Sequence, residues 1–288
     1  MFGHRSSGHS PCIPTGGTQM EHEMLHHTWV NSYVILSFAI AAVASYMSLE
    51  LAGRAGRVFS NAANRFWLVA QALVLGYGIW AMHFVGMMAF QVNAATSLNY
   101  PVTILSGLIA VAFVYPALLL LHSGPMNLRR LGVAGVIAGT GIVAMHYSGM
   151  AAYHMPGTEI QLNVLALIAS ILIAVGASMA ALYLFHLLTS DWARRQTRLQ
   201  LVGVKAGAAA VMGVAITGMH YTGMAALKYK VVDEMQLGVA ADGIDTTLLA
   251  LVIGVVSFLL MGLALTSVLM DAGRSGDVEE LDFGSAAD

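Results

Sequence analysis

Charge, cysteine and buried carboxylate are what this chain has least of. Of its 288 residues 10% are charged and 58% are hydrophobic, and the mean hydropathy is +0.73. A water-soluble surface cannot be dressed with so few charges, which excludes an ordinary soluble globular fold. Thirteen Lys and Arg against fifteen Asp and Glu leave a net charge of -2, without the basic footprint that nucleic-acid binding needs. The one cysteine, Cys12, rules out an internal disulfide, an iron-sulfur cluster and a CxxC zinc or redox site.

What the chain does have is apolar length. Seven stretches reach the roughly 20 residues that a spanning helix needs: 29–51, 66–90, 102–121, 131–153, 162–188, 199–227 and 247–270. The expected fold class is all-α, a polytopic membrane bundle of seven transmembrane helices over 29–270. A His-rich polar leader (1–28) precedes it and an acidic, disordered tail (271–288) follows. The polar joints between spans are too short to hold a catalytic domain, so no enzyme activity is expected.

Orientation follows from the positive charges, which stay on the cytoplasmic side. Arg54, Arg57, Arg65, Arg129, Arg130, Arg194, Arg195, Arg198, Lys205 and Arg274 fall at one set of helix ends, and Arg5, Lys228 and Lys230 at the other. Ten against three predicts the N-terminus outside and the C-terminus inside, in the inner (plasma) membrane. Lys205, a turn or two inside the sixth span, is expected to snorkel to the headgroups. The first span is not a signal peptide, because the residues before it are His-rich and carry one Arg instead of a short positive region.

One pattern occurs three times on alternate spans: Met82-His83-Phe84-Val85-Gly86-Met87, Met145-His146-Tyr147-Ser148-Gly149-Met150 and Met219-His220-Tyr221-Thr222-Gly223-Met224. The histidines are 63 and 74 residues apart, each the length of a helix pair, so all three motifs point the same way at one depth near the outer face. Three such elements suit a pseudo-threefold axis. His at i and Met at i+4 share a helix face, and the Met before each His is rotated about 100° away. Small residues four positions either side of that Met (Gly78 and Gly86, Gly141 and Gly149, Ala215 and Gly223) predict close approach of a neighbouring helix.

A polar ring at this depth costs several kcal/mol without a partner. A lone buried His usually bonds a carbonyl or a Tyr hydroxyl, but packing does not demand three His-x-x-x-Met copies. The candidate metal ligands are His83, His146 and His220, with Met87, Met150 and Met224 and also Met82, Met145 and Met219. Imidazole plus thioether without carboxylate selects copper over Mg, Ca or Mn and suits Zn less well. Haem held by axial His/His or His/Met pairs is the alternative. Tyr147, Ser148, Tyr221 and Thr222 are candidate supports around the ligands; Phe84 and Val85 lack the matching hydroxyls. The spans lack the buried carboxylate of a proton or sodium relay, and the seventh lacks the Lys that retinal requires. In the leader, His4, His9, His22, His26 and His27 with Met20 and Met24 read either as a metal-gathering tract or as a plain polar segment. Translation from Met20 or Met24 is the alternative to Met1.

The triple motif on alternate spans resembles the MHYT family of bacterial integral membrane sensor domains, over almost all of 29–270. The third copy, Met219 to Thr222, spells the family name in full; the second is a Ser variant and the first reads Met-His-Phe-Val. The resemblance implies a signalling sensor that binds copper through the motif's His and Met and detects a diatomic gas (oxygen, carbon monoxide or nitric oxide) or redox state. Family members often continue into a cyclic dinucleotide synthase or phosphodiesterase or a histidine kinase. Here 18 residues follow the last span, so output through a cytoplasmic partner is expected. The other readings are a copper transport or handling protein, for which His122 and His186 would have to serve the inner half, and a haem or copper redox protein.

Overall fold

The computed structural model describes residues 27–55, 62–92 and 94–233, and within the last expected span residues 249, 252–257, 259, 262 and 266. Residues 1–26, which hold most of the His-rich leader, and the tail 271–288 lie outside the described residues.

Six described helices are long and apolar enough to cross a membrane: α1 (Asn31–Ala55), α2 (Ala62–Met88), α3 (Tyr100–His122), α4 (Leu128–Ala152), α5 (Val164–Leu188) and, after the short α6 (Asp191–Arg194), α7 (Arg198–Ala225). The shortest has 23 residues, about 35 Å at 1.5 Å per residue, enough for a hydrocarbon layer of about 30 Å. Their starts are set by side chains that take up orphan backbone N–H groups. Asn99, Asn127 and Asn163 accept from Val102, Arg130 and Ala166, and Thr197 forms a reciprocal capping box with Gln200. Most of the seventh span, 247–270, lies outside the described residues; its residues 252–257 are helical, and the Ile253 carbonyl accepts from the Tyr77 hydroxyl at 3.0 Å.

The described residues are mostly helical, as expected, with three small ribbons besides. Six short strands, β1 (His27–Trp29), β2 (Phe90–Val92), β3 (Ser97–Leu98), β4 (Tyr153–His154), β5 (Thr158–Leu162) and β6 (Leu227–Val231), pair as three antiparallel ribbons, β1 with β2, β3 with β4 and β5 with β6. With two to five residues each, they are too short for a period-two pattern to stand out in the sequence.

Each ribbon closes a strand-helix-helix-strand unit: β1-α1-α2-β2, β3-α3-α4-β4 and β5-α5-α6-α7-β6. The same backbone bond ties each unit shut. Val30 donates to the carbonyl of Ala89 at 2.9 Å, Asn99 to Ala152 at 2.9 Å and Asn163 to Ala226 at 2.8 Å. All three acceptors lie six residues after a motif histidine and are fully buried.

The last helix of every unit, α2, α4 or α7, carries the motif, and these three meet at the centre. Equivalent positions pack into the main core: Leu75, Ala138 and Met212 eight residues before the histidines, Ile79, Ile142 and Ile216 four before, and Met82, Met145 and Met219 one before. At the far end of the bundle Lys205 does not snorkel. Its Nζ pairs with Glu50 of α1 at 2.9 Å, because a carboxylate one helix away offers a charge-assisted bond without exposing apolar stem.

Candidate metal centre

His83, His146 and His220 project from α2, α4 and α7 to one point and are at most 1% exposed. The Nδ1 atoms of His83 and His220 are 3.1 Å apart, and those of His146 and His83 are 3.2 Å apart. The rings meet edge to face, with centroids 4.9 to 5.3 Å apart and interplanar angles of 78° to 86°. Ligand nitrogens of all three lie within 4.8 Å of one another. An ion bonded at about 2.0 Å to three nitrogens spaced at tetrahedral to trigonal angles would set them roughly 3.3 to 3.5 Å apart. Two of the three nitrogen pairs thus stand within a few tenths of an ångström of the spacing that a single ion needs.

The backs of the rings explain the motif's glycine. A Cβ at Gly149 would collide with Nε2 of His83, one at Gly223 with Nε2 of His146, and one at Gly86 with Nε2 of His220. The contacts run in a closed cycle, from α2 to α4, α4 to α7 and α7 back to α2. The close approach expected of the small-residue ridge is thus a seat for the neighbour's imidazole at Gly86, Gly149 and Gly223. At the other end of the ridge Gly78 packs on Ala44 of α1 and Gly141 on Phe113 of α3. Nδ1 of each ring is turned inward and Nε2 faces the glycine backbone of the next motif helix. The Nε2 atoms of all three rings are buried without a hydrogen-bond partner among the described residues.

The methionines fall on two levels. Met87, Met150 and Met224, one turn beyond the histidines, are buried together with Met155 and Tyr229. Met82, Met145 and Met219 are buried in the main core on the other side.

The candidate supports bond elsewhere. Tyr147 reaches Ser170 of α5 at 2.8 Å and Tyr221 reaches Ser37 of α1 at 3.0 Å. Ser148 donates to its own helix at Met145, 3.0 Å, and Thr222 to Gly218, 2.7 Å. In the first copy, where Phe84 has no hydroxyl, the indole N–H of Trp80 bonds Ser106 of α3 at 3.1 Å and the carbonyl of Thr103 at 3.0 Å.

These serines were missed in the sequence, although a signal existed. Ser37, Ser106 and Ser170 each lie seven residues after the residue that ties its unit shut, Val30, Asn99 or Asn163. Met155 and Tyr229 were also missed, since Met155 comes from the turn between β4 and β5 and Tyr229 from β6, outside the repeat.

Of the remaining histidines, His27 of β1 stacks on Phe90 with centroids 4.8 Å apart. His154 lies in β4. His122 meets Gln71 at 3.2 Å, and His186 sits in the last turn of α5. Outside the spans, burial pushes the phenols of Tyr153 and Tyr229 up, aided at Tyr229 by Tyr153, so near neutral pH both are hydroxyls.

The MHYT family, described as a bacterial signalling protein N-terminal repeat, matches residues 76–134 and 139–203. Each match begins partway along α2 or α4, so the sequence repeat runs from one motif helix into the next unit, out of phase with the ribbons. The chain is 40% identical over 250 residues to the bifunctional diguanylate cyclase/cyclic di-GMP phosphodiesterase MucR of Pseudomonas aeruginosa, covering 86% of this chain and 35% of that protein. It is 37% identical over 220 residues to the cyclic di-GMP phosphodiesterase NbdA of the same organism, covering 75% and 27%. To the signaling protein YkoW of Bacillus subtilis it is 33% identical over 205 residues, covering 71% and 25%. The chain thus spans about a third or less of the length of these curated relatives. No solved structure matches it. The repeat match and these relatives make the chain a membrane-embedded member of the MHYT family of bacterial signalling proteins.

Proposed function

We propose that the chain is the sensing part of a membrane signalling system and that His83, His146 and His220 hold one copper ion through their Nδ1 atoms. The observation that carries this is the convergence of three buried imidazole nitrogens, two pairs of them 3.1 and 3.2 Å apart, in a site without carboxylate. Imidazoles closed by soft thioether favour copper, and an ion so held supplies an open coordination position and one-electron redox chemistry. The rings touch edge to face, which leaves no slot for a porphyrin between them and supports an ion over haem. The open position suits a diatomic gas ligand, and its occupancy or the redox state is the signal.

The protein's own part is mechanical. Each ring rests on the backbone of the next motif helix, so displacement of one imidazole displaces its neighbour, and α2, α4 and α7 respond as a set. The two arrangements of that set are what a cytoplasmic signalling partner reads. In relatives named as cyclic di-GMP enzymes that output is turnover of cyclic di-GMP, and we assign this chain to the same class of pathway without catalysis of its own. The orientation with the motif ends outside, in the bacterial inner membrane, follows from the distribution of Lys and Arg.

Copper, zinc and iron content of the purified chain, with its visible and electron paramagnetic resonance spectra, tests the reading. About one copper per chain, lost in the H146A variant, is expected. A Soret band, or less than about 0.1 copper per chain in both proteins, overturns it.

A further inference from the structure

The third unit departs from the other two at one residue. Gly78 and Gly141 stand five residues before their motif histidines, and the residue in that place before His220 is Ala215. A Cβ at Gly78 would overlap Ala44 of α1, and one at Gly141 would overlap Phe113 of α3, so in those units the paired helices touch where the motif helix has no side chain. The counterpart of Ala44 and Phe113 on α5 is Ala177, each lying fourteen residues after the residue that ties its unit shut. With a methyl on both helices α5 and α7 cannot close as far, and Ala177 and Ala215 both line a cavity of about 50 Å³. Its deeper walls come from all three motif helices and from α3 and α5, and are at most 8% exposed. Ala177, Ala181 and Ala215 are half-buried, which puts the mouth between α5 and α7, on a face of the bundle that meets hydrocarbon.

Size and polarity narrow what can enter. At about 50 Å³ the cavity is smaller than the roughly 150 Å³ that accepts benzene and larger than the roughly 15 Å³ that one water needs. A buried water also needs roughly two to four polar partners, and the lining side chains offer the Ser178 hydroxyl and otherwise hydrocarbon and thioether. Ser178 is 4% exposed and its hydroxyl has no partner among the described residues. Such a cavity stays dry and suits a molecule of a few atoms, weakly polar at most. Inward, Ile79, Ile142 and Ile216 of its wall lie four residues before the motif histidines, about 6 Å along their helices. Met219, the residue before His220, is part of the wall, whereas Met82 and Met145 are not.

We propose that this cavity is a docking site for a small apolar gas, filled from the hydrocarbon through the gap between α5 and α7, with Met219 as the side chain that separates it from the histidine centre. Dioxygen, carbon monoxide and nitric oxide dissolve better in hydrocarbon than in water, so a lateral mouth draws on the richer phase. Thioether side chains turn readily, and rotation of Met219 joins the cavity to the imidazoles. That a sensed gas is the occupant rests on the function proposed above; the cavity and its mouth do not.

The probe is xenon, an apolar atom that apolar cavities take up without any metal. It is equilibrated under pressure with the full chain in detergent while methionine-methyl NMR follows Met82, Met145, Met212 and Met219. Saturable shifts at Met212 and Met219, both in the cavity wall, are expected to be several times larger than those at Met82 and Met145. Ala215→Gly restores the glycine of the other units and should weaken xenon binding at least fivefold. Ala177→Leu, which fills the mouth, should do the same, and Ala180→Leu, on the exposed side of α5, should leave binding within twofold of the wild type. If A177L does not fold by circular dichroism, A177V takes its place. Shifts that are absent, that do not saturate or that are equal at the four methionines overturn the proposal, as does unchanged binding in A215G. Copper content is read separately: a chain without copper that still shows these shifts loses the sensing role and keeps the cavity as a gas site. A copper-loaded chain without them overturns the cavity and leaves the histidine centre standing.

Discussion

Nε2 of His83 lies against the backbone of Gly149, at a place where no Cβ fits. His146 and Gly223, and His220 and Gly86, repeat the relationship around the bundle, so the seat for every imidazole is supplied by the helix that bears the next one. The glycine of the motif is thereby a requirement of the histidine.

Gly149→Ala is expected to be destabilising by about 1 to 3 kcal/mol, the usual range for overpacking a filled core, and to lower copper content through a displaced His83. Thermal unfolding in detergent and metal analysis read both effects. In the H83A background the same glycine change should cost less than half as much, because the ring it strikes is gone. Equal costs in the two backgrounds would show that the seat is not what Gly149 provides.

Trp80 and Phe84 make a second prediction. Where the other copies use a Tyr hydroxyl to reach serine, the first uses the Trp80 indole on Ser106. Trp80→Phe leaves buried hydrogen-bonding groups on α3 short of a donor, at about 1 to 3 kcal/mol. Adding Phe84→Tyr should recover part of that loss, since the hydroxyl then stands where Tyr147 and Tyr221 have theirs. No recovery would mean that the three units are not interchangeable at this contact.

At the opposite end, Glu50 and Lys205 form an ion pair that is 18% and 13% exposed. Removing either partner should cost about 1 to 3 kcal/mol, less than for a fully buried pair because water reaches this one. The E50L/K205M double variant should be more stable than either single variant. A double-mutant cycle in detergent measures the coupling, and additivity within about 0.5 kcal/mol would show that the pair is energetically idle.

The sequence already held the six described spans to within a few residues, because an uninterrupted apolar run of 20 or more is a strong signal. It also held the three histidines and their common depth, because a repeat at helix-pair spacing leaves few other arrangements. The Lys205 to Glu50 pair was not legible, since a charge near a helix end can equally face the headgroups, and only the packing of α7 on α1 decides. Nor were the ribbons, whose strands are shorter than any pattern. Tyr147 and Tyr221 were read as supports of the imidazoles; their side chains leave the site for Ser170 and Ser37 because the antiparallel helix next door offers the nearest partner. Gly149 could be read as small but not as the seat of His83, because that contact joins two units.

The central claim is that three imidazoles hold one copper ion. Copper X-ray absorption on the purified chain, compared with H83A, H146A and H220A, tests it most directly. Three nitrogen neighbours at about 2.0 Å in the wild type, with copper lost in every single variant, is the result predicted. Copper retained with an unchanged nitrogen count in any one of the three variants, or no stoichiometric copper in the wild type, would contradict it.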